Sequence, residues 1–171
     1  MEITTIISKS DILNAFYYEV VDNKESYNGK TDIHSILKDS FTMKKPIVSK
    51  TEFHDLNKNN ILSIYRLYKT PINSEISIII TQKGQYTIKE DTDFKIPSMY
   101  IELEDGNIEF SGTVFSGDFN IKYKNHNIAH IKSANKKNSK EYSIYYNKEY
   151  KIFLMLFIAM IVTIDSKYHY Y

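Results

Sequence analysis

The chain has no cysteine, only five glycines and three prolines, and a single arginine. Without cysteine there are no disulfides, no thiolate nucleophile and no Cys-ligated zinc. The glycines are scattered singly, so neither a P-loop nor a dinucleotide fingerprint is present. A G-x-S-x-G nucleophile elbow is missing as well. Arg66 is the only arginine among 22 basic residues. Bidentate guanidinium forks on phosphate or carboxylate are therefore nearly absent, and anion binding falls mainly to lysine point charges. The formal net charge is +1, which provides no global field toward nucleic acid. No Pro/Gly/Ser-rich linker divides the 171 residues, so residues 1–171 read as one domain, long enough for a sizeable core. The opening MEITTIISKSDIL lacks a basic leader followed by an apolar run. The expectation is no export and a cytoplasmic location, with peripheral contact at a membrane left open.

Short β-rich runs separated by turn residues make up most of the chain. The candidates are Ile3–Ile7, Ala15–Val21, Asp32–Leu37, Pro46–His54, Ile61–Tyr68 and Ile76–Gln82 in the first half. Gln85–Lys89, Ser98–Glu104, Asn107–Val114, Asp118–Tyr123, Asn127–Ser133 and Glu141–Asn147 follow. Asp105-Gly106 joins two alternating runs, the strongest short-range hairpin signal. Lys124–Asn127 and Asn57–Asn60 read as further turns, because Asn tolerates positive φ. Ile108, Phe110, Gly112 and Val114 share one strand face, and Glu109, Ser111 and Thr113 the other. Each strand so read has one apolar and one wet face, which describes an antiparallel all-β domain. Ser10 is placed to cap a short helix through Asp11, Ile12 and Leu13, an alternative to strand over Ser10–Tyr18.

One segment breaks the pattern. In KIFLMLFIAMIVTID, Lys151–Asp165, the thirteen residues Ile152–Ile164 are apolar except for Thr163. A bilayer-spanning helix needs roughly 20 such residues. A run of this length fits a buried core helix better, and Leu, Met, Phe and Ala favour helix over strand. It has no polar stripe, so a soluble protein must surround it on every side. A closed antiparallel barrel of about a dozen strands, wrapped around this hydrophobic C-terminal helix, does that and removes every sheet edge. The fold class expected is thus mainly β.

From about Lys50 to Asp165, the strand hairpins with EDGNIE and NHNIAHIK turns, then EYSIYYNKEY, then the apolar helix ending in IVTID, resemble the LURP-one-related proteins. The resemblance implies membership of a superfamily in which a closed antiparallel barrel wraps a hydrophobic C-terminal helix. Tubby C-terminal domains, known as phosphoinositide binders through basic residues on the barrel, and phospholipid scramblases, which act on membranes, belong to it.

Catalytic and metal-binding constellations are not expected. His126 and His130 have the i,i+4 spacing of a helical zinc pair, but one falls in a turn and the other on a strand. Four residues of strand separate them by about 13 Å. The remaining histidines, His34, His54 and His169, join no motif. KEDTDF, with Glu90, Asp91 and Asp93, has Ile96 where a calcium loop begun at Asp91 needs glycine. A solvated loop is expected there. Fifteen tyrosines invite a stacking reading, but the near-zero net charge opposes nucleic acid. Asp165 opposes the macrodipole of its own helix and needs a partner, Lys167 or a donor on the barrel rim. The candidate contacts to an anionic surface are Lys44, Lys45, Lys132, Lys136, Lys137 and Lys140. The expectation is a non-enzymatic binding module without cofactor or metal, acting through the barrel exterior on anionic membrane lipid or a protein partner. The alternative is a scramblase-like membrane protein with residues 152–164 in the bilayer.

Overall fold

The computed structural model describes residues 1–10, 16–23, 25–32, 36–70, 72–91 and 98–168. Twelve strands form a closed antiparallel barrel: β1 (Glu2–Ser10), β2 (Phe16–Asp22), β3 (Glu25–Asp32), β4 (Ile47–His54), β5 (Asn60–Leu67), β6 (Glu75–Thr81), β7 (Gly84–Glu90), β8 (Ser98–Leu103), β9 (Gly106–Thr113), β10 (Asp118–Tyr123), β11 (His126–Lys136) and β12 (Ser139–Tyr146). Each strand pairs with the next in sequence, and β12 returns to β1, with Glu2 opposite Tyr146 and Ser8 opposite Lys140. The closed ring leaves no strand edge unpaired.

Helix α1 (Ile36–Met43) follows β3, and a 3-10 segment, Lys148–Phe153, leads into helix α2 (Leu154–Tyr168). α2 is buried on all sides: every residue from Leu156 to Ile164 is at most 4 % exposed. Its side chains reach Tyr142 and Tyr146 of β12 and Ser8 of β1 on one side of the ring, and Ser77 of β6 on the other. The helix therefore runs inside the barrel. Its length matches the wall: fifteen helical residues rise about 22 Å, and eight strand residues tilted by about 40° span roughly the same height. Full burial of each large apolar side chain contributes about 1.5–3 kcal/mol.

Alternation builds the wall. Tyr142, Ile144 and Tyr146 point inward and are buried, while Glu141, Ser143 and Tyr145 between them are partly exposed. β5 and β6 depart from this. Their outward Tyr65, Leu67 and Ile78 are buried with Ile47 beneath Ile36 and Met43 of α1. α1 thus shields an apolar patch on the outer wall.

Two expectations change. Of the expected Asp32–Leu37 strand, Asp32 ends an earlier strand, β3 at Glu25–Asp32, Ile36 and Leu37 belong to α1, and residues 33–35 lie outside the described residues. β3, ESYNGKTD, has Tyr27 as its one large apolar residue, so the sequence shows no alternation there. Its inward Gly29 sits under the Phe53 ring, where a Cβ would lie 2.5 Å from Cε1, so the ring of β4 fills the space that β3 leaves empty. Second, the C-terminal helix begins with a 3-10 turn, and α-helix starts at Leu154 rather than Lys151. Of the two readings of Ser10–Tyr18, strand holds at Phe16–Tyr18, and the capped helix through Asp11–Leu13 lies outside the described residues. The other candidate strands each overlap an observed one. In the turn before β11, Lys124 and Asn125 both have positive φ, as a two-residue hairpin demands.

Candidate functional site at the barrel mouth

β1, β5, β7 and β11 end where α2 ends, and β2, β6 and β12 begin there. This end is the mouth of the barrel. Inward positions that are apolar deeper down become polar here: Ser8 follows Ile6, Arg66 follows Leu62 and Ile64, and Glu90 follows Tyr86 and Ile88.

Asp165 is fully buried and accepts hydrogen bonds from Ser8 Oγ at 2.5 Å and Tyr142 Oη at 2.6 Å. The sequence expectation of a rim donor is met by β1 and β12, whereas Lys167 turns to Glu90. Tyr18 Oη is buried beside Asp165 and Ser8 without a hydrogen bond of regular geometry. Burial, and next the Asp165 charge, push the Tyr18 and Tyr142 hydroxyls well above the ordinary tyrosine range. Lys140 lies inward above the Tyr142 ring, with Nζ 5.7 Å from its centroid. Burial lowers its ammonium pKa, and the Asp165 charge opposes that shift. Further around the mouth, Thr163 and Ser77 share a hydrogen bond of 3.2 Å. Arg66 donates through Nη1 to the Ser166 carbonyl at 3.0 Å, capping the end of α2.

Glu90 is not part of a solvated loop. It points inward at the end of β7 and is held by Lys69 and Lys167. Burial would raise its pKa, but the two ammonium groups outweigh that and hold it below the usual carboxylate range. Asp93 lies outside the described residues. At the opposite end of the barrel, buried Asp22 accepts from Thr4 Oγ1 at 2.7 Å and Tyr146 Oη at 3.1 Å, and Lys151 Nζ stands 2.9 Å away. Burial again acts upward, and these partners together hold the Asp22 pKa below its ordinary value. The carboxylates thus fasten the helical segment at both ends.

Acid should loosen these fastenings. Asp22 and Glu90 have folded-state pKa values below their unfolded ones, near 4. Their contribution is complete at neutral pH and is lost as pH falls through the depressed folded values. Thermal unfolding followed by circular dichroism should show the melting temperature falling below about pH 4. Glu90→Gln should melt lower at pH 7 and with a flatter acid limb. A parent melting temperature constant from about pH 7 to pH 3 would refute the assignment.

The six candidate lysines do not form one patch. Lys44 is exposed after α1, and Lys45 pairs with Glu75. Lys136 and Lys137 are exposed at the β11–β12 hairpin, with Lys136 3.9 Å from Glu141. Lys132 faces outward on the β11 wall, and Lys140 is buried in the mouth. His126 and His130 both lie on β11, and His130 contacts Asn120 and Asp118, each at 3.1 Å. His34 and His169 fall outside the described residues. Among the described residues no His/Asp/Glu group is arranged to hold a metal ion. Sequence reading took Lys140 as a surface contact and Glu90 as part of a solvated loop, gave Arg66 no place in a site, and put none of the three at the barrel mouth. The available signal was the strand parity that puts each in line with buried apolar neighbours.

Fold and mouth together define a closed twelve-stranded antiparallel barrel with a C-terminal helix threaded through it. Comparison with protein-family models, with curated proteins and with solved structures gave no match.

Proposed function

We propose that the protein is a non-enzymatic binding module that docks the mouth end of its barrel on an anionic membrane surface from the cytoplasm. The observation that carries this is the outer face of α1. Ile36 and Met43 face the wall, while Leu37 and Phe41, one turn apart, are 72 % and 82 % exposed. Lys38 and Lys44 are exposed beside them. The neighbouring β5–β6 loop adds exposed Tyr68 and Ile72. Apolar side chains flanked by ammonium groups suit a bilayer interface with anionic headgroups. Each lysine near such a surface contributes roughly 1 kcal/mol, and an apolar side chain that enters the interface contributes up to about 1.5–3 kcal/mol. Such docking is reversible.

Two further points support the reading. Several polar groups of the mouth fasten α2: Ser8 and Tyr142 donate to Asp165, and Lys167 of the helix pairs with Glu90 beside Lys69. The relation to LURP-one-related proteins and their membrane-linked superfamily, suggested by the sequence patterns, agrees with a lipid-facing role. A bilayer position for residues 152–164 would require the barrel to give up its core. Among the described residues no helix is long and apolar enough to cross a membrane.

Co-sedimentation with phosphatidylcholine vesicles, with and without phosphatidylserine, tests the proposal. Binding should need phosphatidylserine, weaken with salt, and fall about tenfold or more in Phe41→Ser, a loss of at least about 1.4 kcal/mol. Equal binding to both vesicle types, or an unchanged Phe41→Ser, would overturn it and favour a protein partner.

A further inference from the structure

We infer that a pocket at the mouth, between the end of α2 and strands β4 to β6, binds an oxyanion carrying a short apolar tail, a carboxylate or a phosphate monoester, on the guanidinium of Arg66. The cavity measures about 370 Å³ and opens to solvent, within the usual size of a small-molecule site. Arg66, Lys69 and Lys167 line it, and Val48, Tyr68 and Ile76 supply apolar walls.

Three basic side chains line this pocket, and no carboxylate is among its lining residues. Its carboxylate neighbour Glu90 is matched to Lys69 and Lys167. Among the described residues no carboxylate pairs with Arg66, whose hydrogen bond goes to the Ser166 carbonyl. A guanidinium has five N–H donors in a planar fork that suits a carboxylate or phosphate edge. Capping the helix uses one of them. Burial also draws the Arg66 pKa down, the mark of a cation that has given up solvent without gaining a counter-ion. A purely structural cap needs no open cavity around it with Lys69 and Lys167 also in its lining. Apolar walls beside the fork select an anion with a hydrocarbon portion over a bare inorganic ion.

The pocket shares Tyr68 with the docking face but neither Leu37 nor Phe41, so the two proposals can fail separately. Titration calorimetry with octanoate, octyl phosphate, octanol and inorganic phosphate, without vesicles, tests it. Octanoate and octyl phosphate should bind at least tenfold more tightly than octanol or inorganic phosphate. Arg66→Met should lose at least tenfold. Because that change also removes a helix cap, Val48→Trp, which fills the cavity and leaves Arg66 in place, should lose as much. Phe41→Ser should bind octanoate as the parent does. Vesicles containing phosphatidic acid should compete with octanoate if the pocket reads a lipid headgroup, and leave its affinity unchanged if it reads a soluble anion; either result agrees with the shared chemistry. Octanol binding as tightly as octanoate, no binding of either anion at millimolar concentration, or full affinity in Val48→Trp would overturn it.

Discussion

Ala159→Lys should abolish the folded barrel. Ala159 is fully buried at the middle of α2, with Ile158 and Met160 beside it at 1 % and 0 % exposure. A lysine on an amphipathic helix escapes by laying its stem along the surface and putting its ammonium in water. α2 has no wet face for this, since the wall surrounds it. The ammonium must stay buried and unpaired, which costs several kcal/mol, or lose its proton and still overfill a packed core. Against a total stability of about 5–15 kcal/mol, either outcome removes most of what holds the fold. The expected result is loss of the cooperative thermal transition and of soluble protein. Ile152→Lys, at a residue 61 % exposed in the 3-10 segment, should melt close to the parent. A cooperatively folded Ala159→Lys with near-parent stability would contradict the placement of the helix. If the segment were a membrane anchor, the same substitution would change partitioning and leave the fold intact.

How much of this was legible beforehand depends on how much of each pattern is local. The barrel could be read because two independent features demanded each other. Strands such as Asn107–Val114, with Ile108 and Phe110 on one face, needed a cover, and an all-apolar helix needed a complete wrapping. β3 was illegible because its packing belongs to its neighbour: Gly29 is acceptable in a strand only because Phe53 of β4 covers it. α1 was missed for a related reason. Ile36 and Met43 gain their meaning from Tyr65, Leu67 and Ile78, an outward patch that exists only once β5 and β6 are paired. At the mouth the limit is different. Arg66, Glu90, Lys140 and Asp165 are far apart in the chain; the first three each read alone as a surface charge, and only Asp165, opposing its helix dipole, signalled a need for a partner. What joins them is the termination of β5, β7 and α2 at one end of the barrel, where β12 begins. Ring closure sets that arrangement, and no short stretch of sequence contains it.

Asp165→Ala should be the most damaging change available at that mouth. The carboxylate accepts from Ser8 of β1 and Tyr142 of β12, the two strands whose pairing closes the ring, and it sits on the helix that fills it. Its removal leaves two buried hydroxyls without an acceptor, at a cost of about 1–3 kcal/mol each. It also takes away the negative charge that supports a protonated Lys140. The total loss should reach about 3–5 kcal/mol, a fall of about 10 °C or more in melting temperature for a domain of this size. Asp165→Asn should recover part of it, since an amide oxygen can still accept from one hydroxyl and the other can turn to accept from the amide. Because one group anchors both partners, Ser8→Ala and Asp165→Ala should cost less together than their separate losses add up to. Hydrogen exchange should show the amides of α2 near residue 165 opening in Asp165→Ala while the middle of the helix stays protected, because only the apolar contacts deeper in the barrel still hold it. A melting temperature within about 2 °C of the parent, with exchange unchanged, would mean that packing alone fixes the end of the helix and that the buried carboxylate is not its anchor.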